Sequence, residues 1–67
     1  METMYTVPEV AKHLRLSRSK VYAMVKRGEI PHIRLGRNVR IRRTDLEKWL
    51  EERTVWVQPP LFGNGRY

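Results

Sequence analysis

The sequence contains no cysteine, which removes disulfides and thiolate-ligated zinc as sources of stability. Its apolar runs stop after a few residues, far short of the roughly 20 that a bilayer-spanning helix needs, so no membrane partner is expected. The first ten residues, METMYTVPEV, lack the cationic start and apolar block of a secretory leader. The expectation is a cytoplasmic protein, nucleoid-associated in a bacterial host. There is also no metal-ligand cluster, no nucleophile constellation and no phosphate-cradling glycine loop. These absences argue against an enzyme, and no cofactor or metal is expected.

The absence that says most is that of acid in the middle of the chain. Between Val10 and Arg43 stand eleven cations, Lys12, Arg15, Arg18, Lys20, Lys26, Arg27, Arg34, Arg37, Arg40, Arg42 and Arg43, against Glu29 alone. Downstream, Asp45, Glu47, Glu51 and Glu52 restore the balance. The net charge is +7 and the isoelectric point about 10.6. A domain this basic, with its cations segregated, focuses positive potential on one part of its surface and speeds encounter with a polyanion.

Sixty-seven residues make one domain, and a chain of that size buries only about 60% of the surface it exposes unfolded. A single unstapled core in this range contributes roughly 3 to 5 kcal/mol, and a roomy catalytic cleft does not fit. Thr6, Val7, Pro8 and Glu9 match a capping box with Pro in the first turn, and Val7, Val10, Ala11 and Leu14 then recur on one helical face. A first helix over Val7 to Leu14 follows, with His13 off the stripe as a surface histidine. Arg15-Leu16 is a tight connection, Ser17 a second N-cap, and Gly28 the left-handed stop of a helix over Arg18 to Arg27. Two short helices joined so closely form a helix-turn-helix.

On the second helix Val21, Met24 and Val25 gather on one side. Ser19, Tyr22, Ala23 and Lys26 gather on the other, with Arg18, Lys20 and Arg27 along the flanks. A helix made only for solvent mixes Glu with Lys at i, i+4 spacing; this one has no acid. Small residues allow close approach to a groove, and Tyr22 and Lys26 reach phosphates or base edges.

Ile30 to Leu35 and Val39 to Ile41 alternate apolar with polar residues around a loop of Gly36, Arg37 and Asn38, the pattern of a two-stranded hairpin. Ile33, Leu35, Val39 and Ile41 are expected inward, with Arg34, Arg37 and Arg40 outward or at the tip. Such an arginine-tipped hairpin beside a helix-turn-helix is a wing, suited to the DNA backbone or a narrow minor groove. A third helix starts between Arg43 and Asp45, with Thr44 and Glu47 as a capping box and Leu46, Trp49 and Leu50 as its apolar stripe. Its carboxylates face water. Residues 1–53 are therefore assigned to a small α+β winged helix-turn-helix domain and 54–67 to a C-terminal tail. Pro59-Pro60 and Gly63-Asn64-Gly65 oppose regular structure, so residues 58–67 are expected to form a mobile tail. The alternative is an interaction segment in which Val55-Trp56-Val57 adds a strand to the wing or to a neighbouring molecule and Leu61-Phe62 acts as an apolar tether.

The stretch TVPEVAKHLRLSRSKVYAMVKRGEIPHIRLGRNVRIRRTDLEKWL, residues 6 to 50, resembles the excisionase-type branch of the MerR-like winged helix-turn-helix superfamily. LSRSKVYAMVKRGEIP, LGRNVRI and DLEKWL carry that resemblance most specifically, as recognition helix, wing and closing helix. It implies groove contacts from Arg18, Ser19, Lys20, Tyr22, Ala23 and Lys26, with Arg27 on the flank, and wing contacts from Arg34, Arg37, Asn38 and Arg40. It implies a phage or mobile-element recombination directionality factor that binds and bends attachment-site DNA and turns an integrase toward excision. Double-stranded DNA is the expected partner, with the integrase and further copies on adjacent sites as candidates. The long dimerisation helix and effector domain of typical MerR regulators do not appear, so no small-molecule effector is expected. A small transcription regulator with the same surface, or a protein-interaction adaptor whose basic face meets an acidic protein, are the alternatives.

Overall fold

A computed structural model describes residues 2–57; the sequence expectations for residues 58–67, including Leu61-Phe62, lie outside the described residues. The elements run in the order β1 (Met4–Tyr5), α1 (Val7–Leu14), α2 (Arg18–Lys26), β2 (Ile33–Leu35), β3 (Asn38–Arg42) and α3 (Arg43–Arg53). This is the small α+β winged helix-turn-helix expected from the sequence, with one strand more than the hairpin. Met4 and Tyr5 pair with Arg42 and Ile41, making a three-stranded antiparallel sheet in the order β1-β3-β2. A strand of two residues is too short to show alternation, which is why the sequence does not announce it.

α1 begins as its capping box dictates. The Glu9 amide donates to the Thr6 hydroxyl at 3.3 Å, and the Thr6 amide donates to the Glu9 carboxylate at 2.9 Å. α1 ends at Arg15, whose φ of 56° is left-handed. The Leu16 amide reaches back to the Ala11 carbonyl and the Arg15 amide to that of Lys12. This is a Schellman closure without glycine, and the left-handed backbone at a residue bearing a Cβ costs about 1 to 2 kcal/mol. α2 starts on Ser17, whose hydroxyl accepts from the Lys20 amide at 3.1 Å. Its exit closes in the same way around Gly28 at φ 71°, with Glu29 bonded back to Met24 and Gly28 to Val25.

The core joins Val7, Val10 and Ala11 of α1, Val21, Met24 and Val25 of α2, Ile30, Ile41, and Leu46 and Trp49 of α3. Each Val or Ile taken fully out of water contributes roughly 1.5 to 3 kcal/mol before entropy is charged against it. The Trp49 indole N–H donates to the Glu29 carbonyl at 2.8 Å, tying α3 to the exit of α2. The Arg53 guanidinium lies 4.2 Å above the Trp49 ring. Leu50, expected in the apolar stripe, is exposed.

Two local expectations are corrected. The hairpin loop is the pair Gly36-Arg37, with Gly36 at φ 63°, so Asn38 is the first residue of β3 and faces Leu35. Shortening the loop by one residue flips the parity of one strand against the other. Ile33 now lies opposite Arg40 and Arg34 opposite Val39, and opposed residues share a face. Val39 and Ile41 therefore pack inward, whereas Ile33 and Leu35 stand on the outer face, Leu35 at 55% exposure. The second correction concerns α3. It follows β3 without a loop and starts at Arg43, so Thr44 is already inside the first turn and forms no cap. Its hydroxyl donates to the Glu2 carboxylate, and Glu47 pairs with Arg43 at 3.4 Å instead. Val55 to Val57 are exposed and add no strand to the wing. Among the described residues no helix is long and apolar enough to cross a membrane.

Candidate nucleic-acid interface

α2 sinks Val21, Met24 and Val25 into the core, and that choice decides what the rest of the helix presents. Arg18, Ser19, Lys20, Tyr22 and Lys26 are exposed, and Ala23 is half-buried between them. Arg18 and Lys20 occupy the first turn, where the helix macrodipole is positive and cations are unfavourable by roughly 0.3 to 1 kcal/mol each. The stability of α2 itself does not account for two cations in that turn. Arg27 differs from its neighbours. It sits on the closing turn with its guanidinium held by both carboxylate oxygens of Glu29, so any contact it makes outward requires that pair to open.

The other cations separate in the same way. Arg42 is paired with Glu2 and Asp45, each at 3.6 Å, and Arg43 with Glu47. No ion pair among the described residues involves Arg18, Lys20, Lys26, Arg34, Arg37 or Arg40. Among the described residues, all the cations of α2 itself and of the hairpin before Arg42 are thus without an ion pair, as are Lys12, Arg15, Lys48 and Arg53, while Arg42 and Arg43 at the start of α3 are neutralised locally.

On the hairpin the register divides the expected wing residues. Arg37 is at the turn, Arg40 is on the outer face with Ile33, and Arg34 is on the opposite face with Val39. Arg34, Arg37 and Asn38 are exposed; Arg40 is half-buried and donates to the Val39 carbonyl at 2.8 Å. One strand thus brings Arg37, Asn38 and Arg40 together, and the edge strand carries Arg34 elsewhere.

The two halves meet at a recess. β1 pairs with β3 only as far as Tyr5 and Ile41, and Thr6 then turns away to cap α1. Beside the uncovered edge of β3 a shallow depression of about 290 Å³ opens, rimmed by Thr6, Pro8, Tyr22, Arg37, Asn38 and Arg40. Val7 and Val39 line its apolar part. Tyr22 is the α2 residue that reaches it, with 52% of its surface exposed. Thr6 and Pro8 were legible only as the start of a helix, because their approach to the wing depends on the two-residue β1. Glu9 lies close by, its carboxyl held below the ordinary value of 4.5 chiefly by the Thr6 backbone N–H, then by the Thr6 hydroxyl, with His13 and Arg40 adding smaller effects.

Comparison with known proteins agrees with this geometry. The sequence model of a family described as a helix-turn-helix domain matches residues 4–54. The chain is 48% identical over 46 residues to a Saccharopolyspora erythraea protein named "Probable excisionase", covering 69% of this chain and 47% of that protein. It is 40% identical over 45 residues to "Uncharacterized protein YvgK" of Bacillus subtilis (strain 168), covering 67% of this chain and 15% of that one. It is 40% identical over 48 residues to "Putative DNA-binding protein Rv0500A" of Mycobacterium tuberculosis (strain ATCC 25618 / H37Rv), covering 72% of this chain and 62% of that one. The chain thus spans less than two thirds of each of these relatives. No solved structure gives a significant match.

Proposed function

The chain belongs to the helix-turn-helix domain family, and from that premise we propose that it is a DNA-binding protein and, more specifically, an excisionase. It acts without chemistry of its own, as a sequence-specific architectural factor that binds and bends attachment-site DNA and directs an integrase toward excision. Residues 1–53 are the DNA-binding unit, and residues 54–67 are the segment through which the integrase or a neighbouring copy is contacted. The observation that carries the reading is the set of unopposed cations on the outer face of α2 and at the wing, two of them placed in the first turn against the helix dipole. The likeness to the S. erythraea protein favours excision over promoter regulation as the purpose of the binding.

In this reading α2 enters the major groove. Arg18, on the first turn, bonds a guanine edge bidentately, a contact worth about 1 to 3 kcal/mol of discrimination. Ser19 and Ala23 permit close approach, while Lys20 and Lys26 meet phosphates. The wing lies along the adjacent minor groove or backbone through Arg37, Asn38 and Arg40, and Arg34, on the other face of the hairpin, reaches the duplex only from its edge. With about 6 to 10 phosphates contacted, affinity falls by roughly 10³ to 10⁵ between 50 and 200 mM salt.

Protection mapping on DNA from the chain's own genomic neighbourhood, with and without the adjacent recombinase, tests the proposal. Footprints at tandem sites beside an attachment core, extended when the recombinase is present, are expected. A footprint confined to a promoter operator would replace excision by regulation. Arg18→Ala should relax sequence preference and Lys26→Ala should weaken all duplexes evenly; equal losses on cognate and scrambled DNA for both variants would refute that division of roles.

A further inference from the structure

The recess between α1, α2 and β3 has a composition that helix and wing considered separately do not explain. Its rim combines two guanidinium groups, Arg37 and Arg40, with the Tyr22 phenol and the Asn38 amide. No carboxylate among the described residues lines the recess, so its charge is that of two arginines, and Tyr22, Asn38 and Thr6 can each donate as well as accept; the Glu9 carboxylate beyond the rim is bonded to the Thr6 amide and hydroxyl. A base edge offers donors as well as acceptors in most orientations, whereas a phosphodiester offers only acceptor oxygens and negative charge. At about 290 Å³ and open to solvent, the depression is below the size of clefts that enclose a small molecule. It fits a group presented from outside. One Arg40 N–H is fixed on the Val39 carbonyl, which pins that guanidinium at the rim and leaves its other donors free.

We infer that this recess seats one backbone phosphate of the bound duplex. The phosphate is gripped from α2 by Tyr22 and from the wing by Arg37 and Arg40, with Asn38 completing the donor set. The inference rests on the DNA-binding reading and refines it. Tyr22 becomes a clamp joining recognition helix to wing, and base reading is left to the first turn of α2. The wing is a short hairpin whose inner strand is uncovered at this end, so a shared anion fixes its angle to α2 more effectively than packing does. Bidentate charge-assisted bonding is the natural use of a guanidinium pair at such a place.

The test uses the full chain and a 20-base-pair duplex recovered from a randomised library by its own binding. Each phosphate in turn is replaced by a neutral methylphosphonate, and dissociation constants are measured for the unaltered chain, Tyr22→Phe, Arg37→Gln and Arg37→Lys. One linkage per bound protein should stand out, with affinity lost by about 10- to 100-fold, the range of a charge-assisted contact. For Tyr22→Phe and Arg37→Gln the contrast between that linkage and its neighbours should collapse toward one, and Arg37→Lys, which keeps the charge, should retain part of it. All altered side chains are at the surface, and circular dichroism verifies that the variants are folded. A penalty spread evenly over many linkages overturns the inference, as does a dominant linkage whose penalty is unchanged in both neutralising variants. If no unmodified duplex is recovered or bound, it is the DNA-binding reading itself that fails.

Discussion

α2 and α3 contribute to the same core, are similar in length and similarly rich in cations, yet they use charge in opposite ways. α2 has Arg18, Lys20 and Lys26 and no acid; α3 has Arg43, Lys48 and Arg53 against Asp45, Glu47, Glu51 and Glu52. On α3, Arg43 pairs with Glu47, Arg42 pairs with Asp45, and Arg53 stacks on Trp49. On α2, Arg18 and Lys20 stand at the positive end of the helix and Lys26 at the negative end, and none of the three has an ion-pair partner among the described residues. The charges at the start of α3 are satisfied within the fold, whereas the two first-turn cations of α2 are a cost to their helix, which is what the proposed contact with DNA would use. A basic composition therefore says less than the local balance of each helix.

The largest effect is expected where α3 anchors the core. Trp49→Ala removes the buried indole, its bond to the Glu29 carbonyl and the platform under Arg53. A loss of about 3 to 5 kcal/mol matches the entire margin of a core this small. The chain should be largely unfolded by circular dichroism at 25 °C, and a cooperative melt near that of the unaltered protein would break the view of α3 as the anchor. Trp49→Phe, which keeps an aromatic ring but loses the indole N–H and part of the ring volume, should lose less, about 1 to 3 kcal/mol.

Next comes the functional half of the comparison. Lys20→Gln should lower the slope of log affinity against log salt by about 0.9, one phosphate contact, whereas Glu51→Gln should leave it where it was. Equal changes from the two helices would erase the distinction. A smaller effect is expected at the turn between α1 and α2. Arg15 pays for its left-handed backbone, and Arg15→Gly should raise stability by about 0.5 to 1 kcal/mol, read as a rise of roughly 2 to 8 °C in melting temperature. No rise would mean that the Arg15 side chain contributes as much as its backbone costs.

The smallest effect is pH-dependent. The folded pKa of Glu9 is depressed because its carboxylate accepts from Thr6, so its contribution is present above the ordinary carboxylate value of 4.5 and is lost as pH falls through the lower folded value. Glu9→Gln should therefore narrow the difference in melting temperature between neutral and acidic solution. An identical pH dependence in that variant would show that the capping box adds nothing.

Both helices of the helix-turn-helix could be placed from the sequence, because Thr6, Ser17 and Gly28 are local devices that work on their nearest neighbours. The core faces of α1 and α2 followed from helical period for the same reason. The hairpin was legible as a hairpin but not in its register. Gly36-Arg37-Asn38 permits a loop of two or of three residues, and only pairing with β1 and packing of Ile41 select between them. The error carried over to Ile33 and Leu35. Thr44 and Glu47 have the spacing of a capping box, but the unbroken passage from β3 into α3 makes Arg42 the N-cap and puts Thr44 two positions past it.

The sequence by itself determined where the helices start and stop, which faces of α1 and α2 are apolar, and that the cations gather on the helix-turn-helix and hairpin. These depend on contacts a few residues apart. Tertiary structure alone decided the third strand, the inward face of the wing and the meeting of Tyr22 with Arg37 and Arg40. The third strand joins segments far apart in the chain, Met4 with Arg42, and the inward face of the wing hangs on a one-residue choice of loop length; in both, a shift of one residue changes which side chains meet and leaves the local pattern untouched.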